Sequence, residues 1–169
     1  IVMEKYFNVP FDKDGIVSLN GSISYNSLSN ILSNNWYKEL PPKSIDKSYF
    51  NNFIQNNIKD LSPEDMAATL SKLISSHLTE SLKFFTLKPK RLYIAGGGIK
   101  NKAIIDGIKQ DYVDIYRPLE NKWNSDAIEA QAFAYLAARS YKSIAYTWKK
   151  ITGVKYKTSG GLLSFPNKL

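Results

Sequence analysis

The sequence predicts an α/β fold, rich in helix and carrying a short parallel sheet, and three features predict it. Residues 92–95 form an apolar β-type run that meets Gly96-Gly97-Gly98, after which a helix-like segment runs from Asn101 through Ile104 and Ile105 to Ile108. Tyr112-Val113-Asp114-Ile115-Tyr116 then reads as a second strand, ended by Arg117-Pro118. Strand, helix and strand in this order make a right-handed βαβ unit with parallel strands. Two long helical patterns, residues 66–85 and 127–138, carry apolar faces that need such a sheet to bury against.

The chain has 169 residues, of which 43% are hydrophobic, enough for one domain with a sizeable core. It contains no cysteine, which excludes a disulfide scaffold or a thiolate metal site and suits a cytoplasmic protein. No apolar run approaches the roughly 20 residues that span a bilayer, and no signal-peptide pattern opens the chain, so no membrane partner is expected. Opening on Ile1 rather than methionine, the chain is expected to be part of a longer product. The net charge of +8 raises the question of nucleic acid. The arginines are only Arg91, Arg117 and Arg139, and the lysines are scattered, with pairs such as Lys149-Lys150 the densest runs. That is the pattern of a solvated surface, and nucleic acid is not an expected partner.

In chain order, Ile1, Val2, Met3, Tyr6 and Phe7 fall at helical spacing. Pro10-Phe11-Asp12-Lys13-Asp14-Gly15 is turn chemistry, with aspartate bonding locally and Gly15 supplying a positive φ. It lacks the full calcium-loop pattern with its glutamate at the twelfth position. Leu28, Ile31 and Leu32 mark a short helix ended by Asn34-Asn35. Pro41-Pro42-Lys43-Ser44 is a stiff extended link, after which Ser44 is placed to cap a helix burying Tyr49, Phe50, Phe53 and Ile54. Lys43 reads equally as a phosphate contact or as a surface lysine.

Ser62-Pro63-Glu64-Asp65 is the clearest helix start, with a capping serine, proline at the first position and acids in the first turn. Met66, Leu70, Leu73, Ile74, Leu78, Leu82 and Phe85 continue it as an apolar stripe. His77, the single histidine, lies beside that stripe and is expected to be packed or capping rather than catalytic. Lys88-Pro89-Lys90 breaks the helix. The last long helix is expected to start near Asn124, Ser125 or Asp126, and residues 127–138 are apolar nearly all round, so it is expected to be buried on most sides. Glu129 interrupts that apolar run. It either lines a cleft or stabilises the helix N-terminus, and the sequence leaves both open. The tail, through Ile151-Thr152-Gly153 and Gly160-Gly161 to Pro166, reads as loop.

The triple glycine removes three Cβ atoms just before a helix N-terminus, whose free N–H groups and positive dipole end suit a nucleotide. A close-packed turn without a ligand is the competing reading. The dinucleotide fingerprint fails, because Lys100 and Asn101 stand where its last glycine would fall, and neither a P-loop nor the protein-kinase elements occur. What remains, apolar strand, three glycines, Asn101 and helix, resembles the adenosine motif of the sugar-kinase, heat-shock-protein and actin superfamily.

Taken with the other motifs, the chain resembles the C-terminal part of anhydro-N-acetylmuramic acid kinases over nearly all its length. The stretches that carry the likeness are Phe11-Asp12-Lys13-Asp14-Gly15, Pro42-Lys43-Ser44, Asp65-Met66-Ala67-Ala68-Thr69-Leu70, Ala95-Gly96-Gly97-Gly98-Ile99-Lys100-Asn101, Asp126-Ala127-Ile128-Glu129-Ala130-Gln131-Ala132-Phe133-Ala134, Ile151-Thr152-Gly153 and Gly160-Gly161 with Pro166. After Pro-Lys-Ser the family continues with Thr-Gly-Arg, whereas here Ile45-Asp46-Lys47 follows. The resemblance implies the C-terminal part of an actin-like, ribonuclease H-like ATPase lobe. It implies an ATP-dependent kinase that phosphorylates 1,6-anhydro-N-acetylmuramic acid while opening its anhydro ring, in peptidoglycan recycling. It places adenosine on Gly96, Gly97, Gly98 and Asn101, and the sugar near Glu129. Magnesium would accompany the phosphates at a site outside this stretch. The family's N-terminal phosphate loop, catalytic aspartate and Gly-Pro-Gly-Asn loop precede the matched region. No catalytic residue is therefore assigned here. Residues 1–169 are expected to be a single partial domain, inactive alone and working with a missing N-terminal half in trans or as a homo-oligomer. A non-catalytic remnant of a decayed kinase gene is the alternative.

Overall fold

Ser62 accepts the Asp65 amide N–H on its hydroxyl at 3.1 Å, Pro63 takes the first helical position, and helix α5, Pro63–Leu82, begins there. Its start is the one the sequence predicts. The structure is a computed structural model that describes residues 2–87, 89–111, 115–116 and 126–165. Within it the chain forms two compact units, Ile1–Ser125 and Asp126–Leu169.

In the first unit α5 is the hub. Helices α1 (Val2–Phe7), α2 (Ile16–Asn20), α3 (Tyr25–Leu32) and α6 (Lys102–Asp111) all pack on it, and α4 (Lys47–Ile58) packs on α3. The core gathers Val2, Leu28, Ile31, Tyr37, Ile58, Met66 and Leu73. The apolar stripe of α5 is not the whole of its buried surface. Ile74 is 52% exposed and Phe85, beyond the helix end, 61%. Ala67, Ala68, Thr69, Ser71 and Ser75 are buried instead. Small residues let neighbouring backbones come close. A Cβ on Gly107 of α6 would lie 2.5 Å from Ser75 Oγ, and one on Gly21 would lie 2.1 Å from the Glu64 carbonyl oxygen. Apolar periodicity carries no sign of such contacts.

Helix α4 also corrects the sequence reading. Its cap is Asp46, whose Oδ1 accepts the Ser48 and Tyr49 amides at 2.9 and 3.0 Å. Ser44 instead offers its carbonyl to the Trp36 indole N–H at 3.0 Å. Asp46 belongs to the Ile45-Asp46-Lys47 departure, so that change supplies a stronger cap. Of the residues expected under α4, Phe50, Phe53 and Ile54 pack against the core while Tyr49 is exposed. The Pro41-Pro42 peptide within the link is cis.

Strand β1 (Leu92–Tyr93) pairs in parallel with β2 (Ile115–Tyr116), with Leu92 opposite Ile115 and Tyr93 opposite Tyr116. Helix α6 connects them, so the βαβ order holds, with the first strand shorter than expected: Ile94 and Ala95 leave the ladder as the chain turns into the glycines. Tyr112, Val113 and Asp114 of the predicted second strand lie outside the described residues, as do Arg117, Pro118, Asn124, Ser125 and Pro166.

The second unit is built on α7, Ile128–Tyr141. Its N-cap position is Ala127, with no side-chain cap, rather than Asp126. No residue of α7 is buried, and Phe133 and Tyr135 are 72% and 60% exposed, against the expectation of a helix buried on most sides. The tail is more ordered than loop: α8 (Lys149–Thr152) and an antiparallel bridge between Thr147 and Thr158 fold it back. Ser140 donates to the Gly160 carbonyl, and Arg139 donates to the Ala145 carbonyl and, at 2.9 Å, to Tyr135 Oη. These bonds fasten the last turns of α7.

Candidate functional site

The glycine turn begins at Gly96, with φ 84° and ψ 178°, a backbone region that side chains disfavour strongly. Gly97–Lys100 forms a single 3-10 turn, in which the Ile99 amide donates to the Gly96 carbonyl at 3.3 Å and the Asn101 amide to the Gly98 carbonyl at 3.1 Å. Buried Ile99 pins it to the unit. Asn101 then caps α6, its Oδ1 accepting the Ile104 amide at 3.1 Å and its carbonyl the Ile105 amide at 3.1 Å.

A Cβ built on Gly96, Gly97 or Gly98 meets nothing within 4 Å among the described residues. Packing there asks for glycine at none of the three positions, and conformation asks for it only at Gly96. The turn therefore presents open backbone beside a capped helix N-terminus, an arrangement that accepts phosphate or a nucleoside in close contact.

Beside it stands a second turn that sequence reasoning took only as a turn. At Lys13–Gly15 two residues in succession, Asp14 (φ 57°) and Gly15 (φ 77°), are left-handed, and Gly15 is where the sequence predicts a positive φ. The side chain of Asn101 lies against Gly15: a Cβ there would be 2.5 Å from Asn101 Oδ1. Asp12 holds this turn. Its Oδ1 accepts the Val17 amide at 2.9 Å, and its Oδ2 accepts the Ser18 amide at 3.0 Å and the Ser18 hydroxyl at 2.6 Å. The Asp-Lys-Asp-Gly pattern was the available signal, but nothing in it says which element it meets.

Glu129 stands exposed in the first turn of α7, in the other unit from the glycine turn, and complements the positive end of that helix. Lys43 has partners within the protein. Its ammonium donates to the Trp36 and Tyr37 carbonyls at 2.9 and 3.1 Å and lies 4.4 Å from the Trp36 ring centroid. His77 is packed, as expected, with its ring stacked on Trp36 and edge-on to Tyr37. Burial, with the charge of Lys43 as a smaller cause, holds His77 below its ordinary pKa, and burial pushes Tyr37 up to about 12. Among the described residues no group of three or more His, Asp or Glu side chains is placed to hold a metal ion, and no helix is long and apolar enough to cross a membrane. A groove of about 490 Å³ in the second unit, lined by Phe133, Leu136, Ser140, Tyr146, Leu162 and Leu163 among others, contains neither the glycine turn nor Glu129.

The family model for anhydro-N-acetylmuramic acid kinase matches residues 1–166. The chain belongs to the anhydro-N-acetylmuramic acid kinase family. Among curated members, the anhydro-N-acetylmuramic acid kinase of Methylorubrum populi is 33% identical over 156 residues, which is 92% of this chain and 41% of that protein. The one from Zymomonas mobilis is 31% identical over 92% of this chain and 42% of its own length. The one from Roseobacter denitrificans is 27% identical over 98% of this chain and 44% of its own length. The chain thus spans about two-fifths of the length of the anhydro-N-acetylmuramic acid kinases it matches. The match takes in both the glycine turn and Glu129.

Proposed function

We propose that this chain is the C-terminal, nucleotide-binding portion of a cytoplasmic, ATP-dependent kinase that phosphorylates 1,6-anhydro-N-acetylmuramic acid and opens its anhydro ring in peptidoglycan recycling. The observation that carries this reading is the glycine turn, whose three glycines face open space within a chain of this family. Gly96, Gly97, Gly98 and Asn101 hold the adenosine, with the missing side chains leaving room for it. Glu129 reaches the sugar. Magnesium travels with the phosphates and is held outside this chain.

The lobe is actin-like, and its remaining strands come from an N-terminal half or a further copy. Exposed Tyr93 on β1 and exposed Phe133 on α7 support this, because a parallel sheet and an apolar helix are stable only when covered. Catalysis needs a carboxylate within hydrogen-bond reach of the attacking water, and that group comes from the N-terminal half. The chain alone is inactive.

Gly97→Val tests the site. In the assembly with the N-terminal half, calorimetry should show ATP affinity falling about tenfold or more, roughly 1.4 kcal/mol. A folded variant that binds ATP as before would leave the glycines as a plain turn.

A further inference from the structure

We infer that Asp12, Ser18 and Gly15 are positioning residues that set the glycine turn and the N-terminus of α6 against the core helix α5. The inference rests on the reading of that turn as the nucleotide site. It assigns work to residues that neither touch the turn's open face nor belong to the glycine motif.

The connection can be followed atom by atom. In α5, the Ala67 carbonyl and the Ser71 hydroxyl lie 3.1 and 2.8 Å from the buried Ser18 hydroxyl. Ser18 donates to Asp12 Oδ2 at 2.6 Å, and the same carboxylate accepts the Val17 and Ser18 amides at the start of α2. A carboxylate taking three donors is held firmly. It fixes the Lys13–Gly15 turn that follows, including the left-handed Asp14, a conformation that non-glycine residues adopt only when their surroundings impose it.

Gly15 is buried, and Asn101 lies directly over it. Asn101 Oδ1 is also the atom that caps α6 through the Ile104 amide. One oxygen therefore meets the Asp12-held turn on one side and the first turn of α6 on the other. Any shift of the Lys13–Gly15 turn moves Asn101, and with it the amides at the end of the glycine turn. Gly15 is required twice over, by its φ of 77° and by the 2.5 Å approach. Such a chain of packed groups is what lets a residue away from a ligand govern its affinity, since a small misplacement of a binding group is costly.

The test is made in the full native protein, with ATP as the probe and four variants. Asp12→Ala should weaken ATP binding about tenfold and shift the backbone amide NMR signals of Gly96, Gly97 and Gly98. Asp46→Ala uncaps α4, which packs on α3 and takes no part in this path, and should leave both readouts unchanged. Gly97→Val reports on the site itself. If Gly97→Val weakens ATP binding while Asp12→Ala neither weakens it nor moves the glycine signals, the positioning role is refuted and the nucleotide site stands. Equal losses of affinity in Asp12→Ala and Asp46→Ala reduce the path to general stability and refute it too. If Gly97→Val itself binds ATP normally, the nucleotide site fails and the inference with it. Should Asp12→Ala not fold, Ser71→Ala removes only the hydroxyl at the far end of the path. It is read the same way, with a smaller loss of affinity expected and an unmoved glycine turn refuting the role.

Discussion

The imidazole of His77 is stacked on the indole of Trp36, with centroids 5.3 Å apart and planes inclined by 30°. Nδ1 of that histidine is buried without a hydrogen-bond partner among the described residues. The fold thus favours the neutral ring, and the ammonium of Lys43 reinforces the preference. Since the folded state holds His77 below its ordinary 6.5, the unfolded chain takes up the proton first. Stability should be full above that value and fall as pH drops through it toward the folded pKa. Thermal melts between about pH 8 and pH 5.5 should show this slope. In His77→Phe the slope should flatten, and Lys43→Met should move the His77 titration seen by NMR upward. An unchanged slope in His77→Phe refutes the assignment.

Two glycines should respond in opposite ways to the same added methyl group. A Cβ on Gly21 runs into the Glu64 backbone, which cannot swing aside, so Gly21→Ala should cost about 1–3 kcal/mol. A Cβ on Gly97 enters open space, so Gly97→Ala should change stability by less than about 0.5 kcal/mol. Urea denaturation measures both. Comparable losses at the two positions would mean that Gly97 is a packing glycine after all.

Glu129→Gln separates the two roles open to that residue. If Glu129 contacts the sugar, turnover of the assembled kinase should drop while the melting temperature barely moves. If it serves only the α7 terminus, the change should cost about 0.3–1 kcal/mol of stability and leave kinetics alone. The first pattern is expected, and a rate assay beside a thermal melt decides it.

The exposed faces bear on assembly. With Tyr93 54% exposed on β1 and Phe133 72% exposed on α7, the purified chain should not behave as a lone monomer. Light scattering should find it in larger species, and adding the N-terminal half should convert these to a defined complex. A monodisperse monomer with one cooperative melting transition would sink this expectation.

Much of the local structure was written in short-range chemistry. Ser62 followed by Pro63 and two acids specifies the start of α5 without any help from the rest of the chain, because a cap, a fixed φ and a dipole act within one turn. The positive φ at Gly15, the glycine turn between a strand and α6, and the parallel order of β1 and β2 were legible for the same reason. The tertiary structure alone decided which surfaces meet. The buried face of α5 uses Thr69, Ser71 and Ser75, chosen by the close approach of α3, α2 and α6 rather than by hydrophobicity. Asp46 displaced Ser44 as the cap of α4, because its carboxylate reaches two amides at once. The apolar run of α7 predicted burial that the described residues of its own unit do not supply, since periodicity says that a surface needs a cover but not what provides it. The contact of Gly15 with Asn101 joins residues 86 positions apart, and only the packing of α2 and α6 on α5 brings them together.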